Sequence, residues 1–136
     1  MHFDLVDRVL EQSPDRIVTL KHISAAEEYL QDHFPTFPVL PGVMMLEAMV
    51  QAARRLAGET PGQPMVLGLV RALKYGQFVR PGSSLRVEIS RGKTAEDGSI
   101  DFKGEALLIE PGATGEHPTA VSGRFSLRPF RPAPTQ

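Results

Sequence analysis

Apolar and polar positions alternate over several stretches of the chain and stop alternating over one. From Arg16 to Ile23, Ile17, Thr19 and Lys21 fall on one side and Val18, Leu20 and His22 on the other, which predicts a strand with two distinct faces. Met65 to Leu73, Leu85 to Gly92, Ile100 to Ile109 and Ala120 to Leu127 predict further strands. Turn chemistry separates them at Arg80-Pro81-Gly82-Ser83, Ala95-Glu96-Asp97-Gly98 and Pro111-Gly112-Ala113-Thr114-Gly115. The exception runs from Val43 to Leu56, apolar on nearly every side in its first turns, with only Glu47 and Gln51 polar before Arg54. That pattern predicts a helix buried all round. Pro41-Gly42 opens it, and Gly58 to Pro64 reads as its C-cap and loop.

Before the helix, Phe3 to Leu10 reads as a short helix or extended lead-in and Gln12-Ser13-Pro14-Asp15 as a turn. Ser24 is placed to cap a short helix ending near Gln31, with Glu27 completing a capping box. One central apolar helix followed by a meander of long antiparallel strands is an α+β domain, its sheet wrapped around the helix. We read residues 1–128 as that single domain and 129–136, with three prolines, as an extended tail.

The loop ahead of the helix carries the candidate chemistry. Pro35, Pro38 and Pro41 fix their own φ angles and push the residues before them toward extended backbone, so the segment from His33 is stiff without regular structure. A stiff loop can aim His33, whose unperturbed pKa of about 6.5 suits a general base. On a helix buried all round, Glu47 would be a carboxyl in apolar surroundings, where the neutral form is favoured and the group can donate a proton. Gln51, four residues on, shares its face and is placed either to hold Glu47 by a hydrogen bond or to be satisfied by backbone.

Composition narrows the field. With 136 residues, 41% hydrophobic and 23% charged, the chain has enough apolar content for one core. A formal net charge of −1 offers no basic balance for DNA or RNA. Zero cysteines remove disulfides and thiolate metal sites, and His2, His22, His33 and His117 show no ligand spacing, so no metal is expected. Acidic Asp4 and Asp7 stand where a secretory signal would be basic and then apolar, so we expect a cytoplasmic protein with no membrane segment.

The run His33-Phe34-Pro35, Pro38, Pro41-Gly42-Val43 and Glu47-Ala48-Met49, continued by Gln51-Ala52, resembles the signature of the FabZ-type 3-hydroxyacyl-[acyl-carrier-protein] dehydratases. Phe3 to Val9, Arg16-Ile17-Val18 and Phe78 to Leu85 extend the likeness, which covers most of the chain to about Arg128. Asp32 and Thr36 replace glycines usual in that family, and Gly76-Gln77 stand where it commonly carries arginines. The resemblance implies a single hotdog domain that forms a trans-2-enoyl thioester and water from a (3R)-3-hydroxyacyl thioester. His33 would remove the C2 proton, Glu47 would protonate the leaving hydroxyl, and the N–H groups of Gly42 and Val43 would hold the thioester oxygen.

The same resemblance implies a homodimer with shared sites, His33 from one subunit and Glu47 from the other, and admits a trimer of such dimers. The substrate arrives on the phosphopantetheine arm of acyl carrier protein, so no bound cofactor is implied. Arg71, Lys74, Arg80 and Arg86 are candidates for docking that carrier, against a reading as solvated strand charges. Phe37, Met44, Met45, Met49 and Phe78 are candidates for an acyl tunnel or for core. A hotdog thioesterase and a non-catalytic acyl-binding member are the alternatives.

Overall fold

The computed structural model describes residues 3–26, 39–59 and 62–130. Among them, strands β1 (Arg8–Gln12) and β2 (Arg16–His22) precede helix α1 (Gly42–Ala57). Strands β3 (Met65–Tyr75), β4 (Ser84–Thr94), β5 (Ile100–Ile109) and β6 (Thr119–Pro129) follow it. They form one six-stranded antiparallel sheet in the order β1-β2-β4-β5-β6-β3. The predicted strands are present, β3, β4 and β6 each longer than the alternation suggested. Phe3 to Asp7 is irregular, and β1 begins at Arg8. Of the expected tail, Pro129 pairs with Met65 and the Phe130 N–H donates to the Pro64 carbonyl at 2.9 Å, and 131–136 lie outside the described residues. The predicted capping box falls partly outside the described residues, at Glu27.

Period-two patterning explains the single core. Ile17 on β2, Leu85, Val87 and Ile89 on β4, Phe102 and Ala106 on β5, and Val121, Phe125 and Leu127 on β6 turn to the face that α1 covers. The rings of Phe102 and Phe125, register partners, stack with centroids 5.7 Å apart. Each of these side chains larger than alanine stabilises the fold by roughly 1.5–3 kcal/mol.

The two edges of the sheet differ. Every residue of β1 is exposed, and the strand carries Arg8 and Glu11 with a bulge between Val9 and Glu11, features that discourage pairing with another chain. At the opposite edge, β3 is 11 residues long and exposes apolar Leu69 and Tyr75.

Lys21 faces the core side of β2 and is 7% exposed. Asp7 supports it: one carboxylate oxygen lies 3.4 Å from Nζ, and the other accepts the His22 N–H at 2.7 Å. A buried ammonium needs such a partner. The bond also fixes the Phe3 to Asp7 segment over the sheet, where Leu5 and Val6 are buried.

Candidate active site

Helix α1 starts on Pro41, whose backbone (φ −59°, ψ 143°) is the half-in geometry of an N-cap. Its carbonyl accepts the N–H groups of Met44 at 3.0 Å and Met45 at 3.3 Å. That leaves the N–H groups of Gly42 and Val43 outside the helical ladder. No side chain caps this end and no acid lies in the first turn. At the far end Gly58 takes φ 74°, and Arg54 and Arg55 complement the negative end of the helix.

The helix is buried over most of its surface, Val50 included, but it is open around Val43 and Glu47, which corrects the expectation of all-round burial. Met45, Ala48, Met49, Ala52, Ala53 and Leu56 are buried, whereas Val43 is 67% exposed and the Glu47 side chain 38% exposed. Spacings of four, four and three place Val43, Glu47, Gln51 and Arg54 on one partly open stripe, which also carries buried Val50. Met45 and Met49 therefore belong to the core and not to a tunnel, while Phe78 is exposed.

Glu47 is held by its neighbours. The Gln51 side-chain amide donates to the Phe3 carbonyl at 2.7 Å and to Glu47 Oε1 at 3.3 Å, while its oxygen accepts the Leu5 N–H at 2.8 Å. One side chain thus satisfies two backbone groups of the N-terminal segment and anchors the carboxylate. On the other side Arg54 Nη1 lies 3.6 Å from Glu47 Oε1, and its Nε donates to the Met65 carbonyl at 3.2 Å. Glu47 is thus a half-exposed carboxylate with a cationic neighbour, not the carboxyl in apolar surroundings that the sequence pattern suggested. Arg54 was legible only as the next polar residue on that face.

Gly42 meets Tyr75 from β3. A Cβ on Gly42 would lie 2.9 Å from Tyr75 Cε1 and Cζ and 3.1 Å from its hydroxyl oxygen, so the absent side chain makes room for this ring. Sequence reasoning missed Tyr75 because the predicted strand stopped at Leu73. His33 lies outside the described residues, as do Asp32, Thr36 and Phe37. No group of three His, Cys, Asp or Glu side chains able to hold a metal occurs among the described residues.

Comparison with known proteins decides the family. The sequence profile of the ApeI-like family, described as ApeI dehydratase, matches residues 9–110. The 3-hydroxyacyl-[acyl-carrier-protein] dehydratase FabZ of Thermotoga petrophila is 41% identical over 107 residues, 78% of this chain and 77% of that one. The Lactococcus lactis subsp. cremoris FabZ is 33% identical over 128 residues, 92% of this chain and 83% of that one. The chain belongs to the FabZ-type 3-hydroxyacyl-[acyl-carrier-protein] dehydratases, hydro-lyases of fatty acid biosynthesis. The match to the Thermotoga neapolitana FabZ, also 41% identical, spans 65% of that relative.

Solved structures agree on the hotdog fold. The dehydratase heterocomplex ApeI:P from Xenorhabdus doucetiae superposes with TM-score 0.64 at 18% identity, covering 93% of this chain and 99% of that one. A Thermus thermophilus thioesterase superfamily member superposes equally well, TM-score 0.64 at 19% identity over 85% of this chain and 80% of that one. At these identities the likeness speaks for fold alone. Within a FabZ-type chain, Gly76 also gains a local reason. Its N–H donates to the Ala120 carbonyl at 2.8 Å, and a Cβ there would collide with the Thr119 carbonyl oxygen, so no arginine fits without moving the backbone. No helix among the described residues is long and apolar enough to cross a membrane.

Proposed function

We propose that this chain dehydrates (3R)-3-hydroxyacyl thioesters carried on acyl carrier protein, with His33 as base and Glu47 as acid. His33 takes the proton from C2, and Glu47 gives a proton to the C3 hydroxyl. The C3–O bond breaks, water leaves, and the C2–C3 double bond forms. Negative charge gathers on the thioester oxygen as C2 loses its proton, and the N–H groups of Gly42 and Val43 are the donors placed for it. The observation that carries this reading is Glu47 fixed by Gln51 on the open stripe of the helix that begins with those two N–H groups. No bound cofactor is required, since the phosphopantetheine arm comes with the carrier. The setting we infer is cytoplasmic.

The β3 edge supports a homodimer, because a long edge strand exposing Leu69 and Tyr75 is a template for a second copy. In the arrangement that the family resemblance implies, His33 of one copy and Glu47 of the other share a site, and three dimers make a hexamer. For carrier docking, Arg71 and Lys74 remain the stronger candidates of those named, and they share the sheet's outer face with Lys103 and Arg124. Arg86 is engaged by Glu88 at 3.0 Å and Glu11 at 3.5 Å.

The test is an assay with crotonyl- and longer enoyl-carrier substrates, followed in both directions. Reversible hydration is expected. Release of free thiol would make the protein a thioesterase, and binding without turnover a non-catalytic acyl-binding member.

A further inference from the structure

Strand β3 contains the one non-glycine residue with positive φ among the described residues, Ala72 at φ 52°. Its consequence is visible in the register. Arg71 pairs with Arg124, but Lys74 pairs with Ser122 and Tyr75 with Val121, so β3 carries one extra residue between them. Without that residue Lys74 would stand opposite buried Val121 and Tyr75 would turn to the outer face. With it, Lys74 goes outward and Tyr75 swings to the helix side, where its ring occupies the space left by the missing Gly42 side chain. An αL alanine is an unfavourable backbone choice. What it secures is a phenol beside the first turn of α1.

The ring is not a core side chain, since Tyr75 is 52% exposed. The hydroxyl is the distinctive part. A phenol both donates and accepts, and partial desolvation raises the Tyr75 pKa above its usual 10, so the O–H is retained as a donor at neutral pH.

We propose that the Tyr75 hydroxyl is a further hydrogen-bond donor to the substrate thioester oxygen, acting beside the N–H groups of Gly42 and Val43. This rests on the dehydratase reading and adds a catalytic residue to it. As the C2 proton departs to His33, charge moves to that oxygen and the Tyr75 O–H bond to it strengthens. The proton stays on Tyr75 throughout.

The experiment uses the full chain and Tyr75→Phe, which keeps the ring against Gly42 and removes only the oxygen, with Tyr75→Ala as the contrast. Turnover of Tyr75→Phe is expected to fall about ten- to a hundredfold with KM little changed, less than the 10²–10³ lost with a principal oxyanion donor. Tyr75→Ala should raise KM as well. The second readout needs no turnover: the infrared stretch of ¹³C-carbonyl butyryl-pantetheine bound to each protein. The stretch should move to higher frequency in Tyr75→Phe than in the parent. A parent that binds this thioester but does not dehydrate would defeat the dehydratase reading alone, and the carbonyl shift would still decide on Tyr75. Unchanged turnover and an unchanged stretch in Tyr75→Phe overturn the proposal, as does a parent that does not bind the thioester.

Discussion

Along one side of α1, Ala48, Met49, Ala52 and Ala53 are between 0% and 1% exposed and lie against the sheet. Along the other, Val43, Glu47, Gln51 and Arg54 lie around buried Val50 and reach solvent or one another. The buried side is fixed by shape, and small residues let the helix sit close to the strands, where a change of one methylene is felt. The open side is fixed by hydrogen bonds, each of modest net worth, which set where a single carboxylate points. The same helix therefore separates two demands: stability depends on the packed side and chemistry on the open side. Substitutions on each should produce losses of different kinds.

The largest expected effect is on the open side. Glu47→Gln keeps the size and hydrogen bonding of the side chain but cannot donate a proton in the same way, and turnover should fall about 10²–10⁴-fold with the thermal midpoint nearly unchanged. His33→Ala should do the same. If the two residues meet across subunits, mixing the two inactive proteins under proven subunit exchange should restore activity, and no recovery would place both roles within one chain.

Next in size is Met49→Ala on the packed side, where Met49 is fully buried within the core cluster. A loss of about 2–5 kcal/mol is expected by urea unfolding, with kcat per folded molecule retained. Equal loss of turnover in the folded fraction would mean that the packed side also positions the site.

Gln51→Met removes the bonds to Phe3, Leu5 and Glu47 while keeping the length of the side chain. Two partly buried backbone groups lose their partner, so a loss of about 2 kcal/mol is expected. Turnover should fall roughly tenfold, because a carboxyl displaced by even 1 Å loses productive alignment. Hydrogen exchange at Leu5 should speed up in the same variant. Full activity alongside that faster exchange would leave Gln51 as an anchor of the N-terminal segment only.

Much of this was legible in the sequence, and the failures share a cause. Strand periods and turn residues gave β2, β4, β5 and β6 to within a few residues, because a two-sided sheet writes itself into alternation. The helix at Val43 was equally plain. Its surroundings were not, since a run such as Val43-Met44-Met45-Leu46 has the same composition whether its outer face meets protein or water. That misreading made Glu47 buried and left Arg54 unconnected to it. Tyr75 was hidden for a different reason: the extra residue at Ala72 shifts the phase of β3, and alanine carries no signature of αL backbone. Gln51 was identifiable as a neighbour of Glu47 from their spacing, but its second role at Phe3 and Leu5 depends on contacts 48 and 46 positions apart.

Arg54→Met should have the smallest effect, and it sharpens the contrast between the two residues that touch Glu47. The guanidinium stands 3.6 Å from Glu47 and 3.7 Å from Glu59 and donates to the Met65 carbonyl at 3.2 Å, with 28% of the side chain exposed. Ion pairs at such distances in partly solvated positions contribute about 0–1 kcal/mol each and weaken with salt. Methionine keeps the apolar stem, so a loss of about 1 kcal/mol is expected, shrinking as ionic strength rises. Turnover should stay within roughly threefold of the parent, because Gln51 still fixes the carboxyl and a general acid needs position more than it needs a cation. A fall in kcat as large as that of Gln51→Met, at unchanged stability, would transfer the positioning role to Arg54 and make the ion pair part of the chemistry.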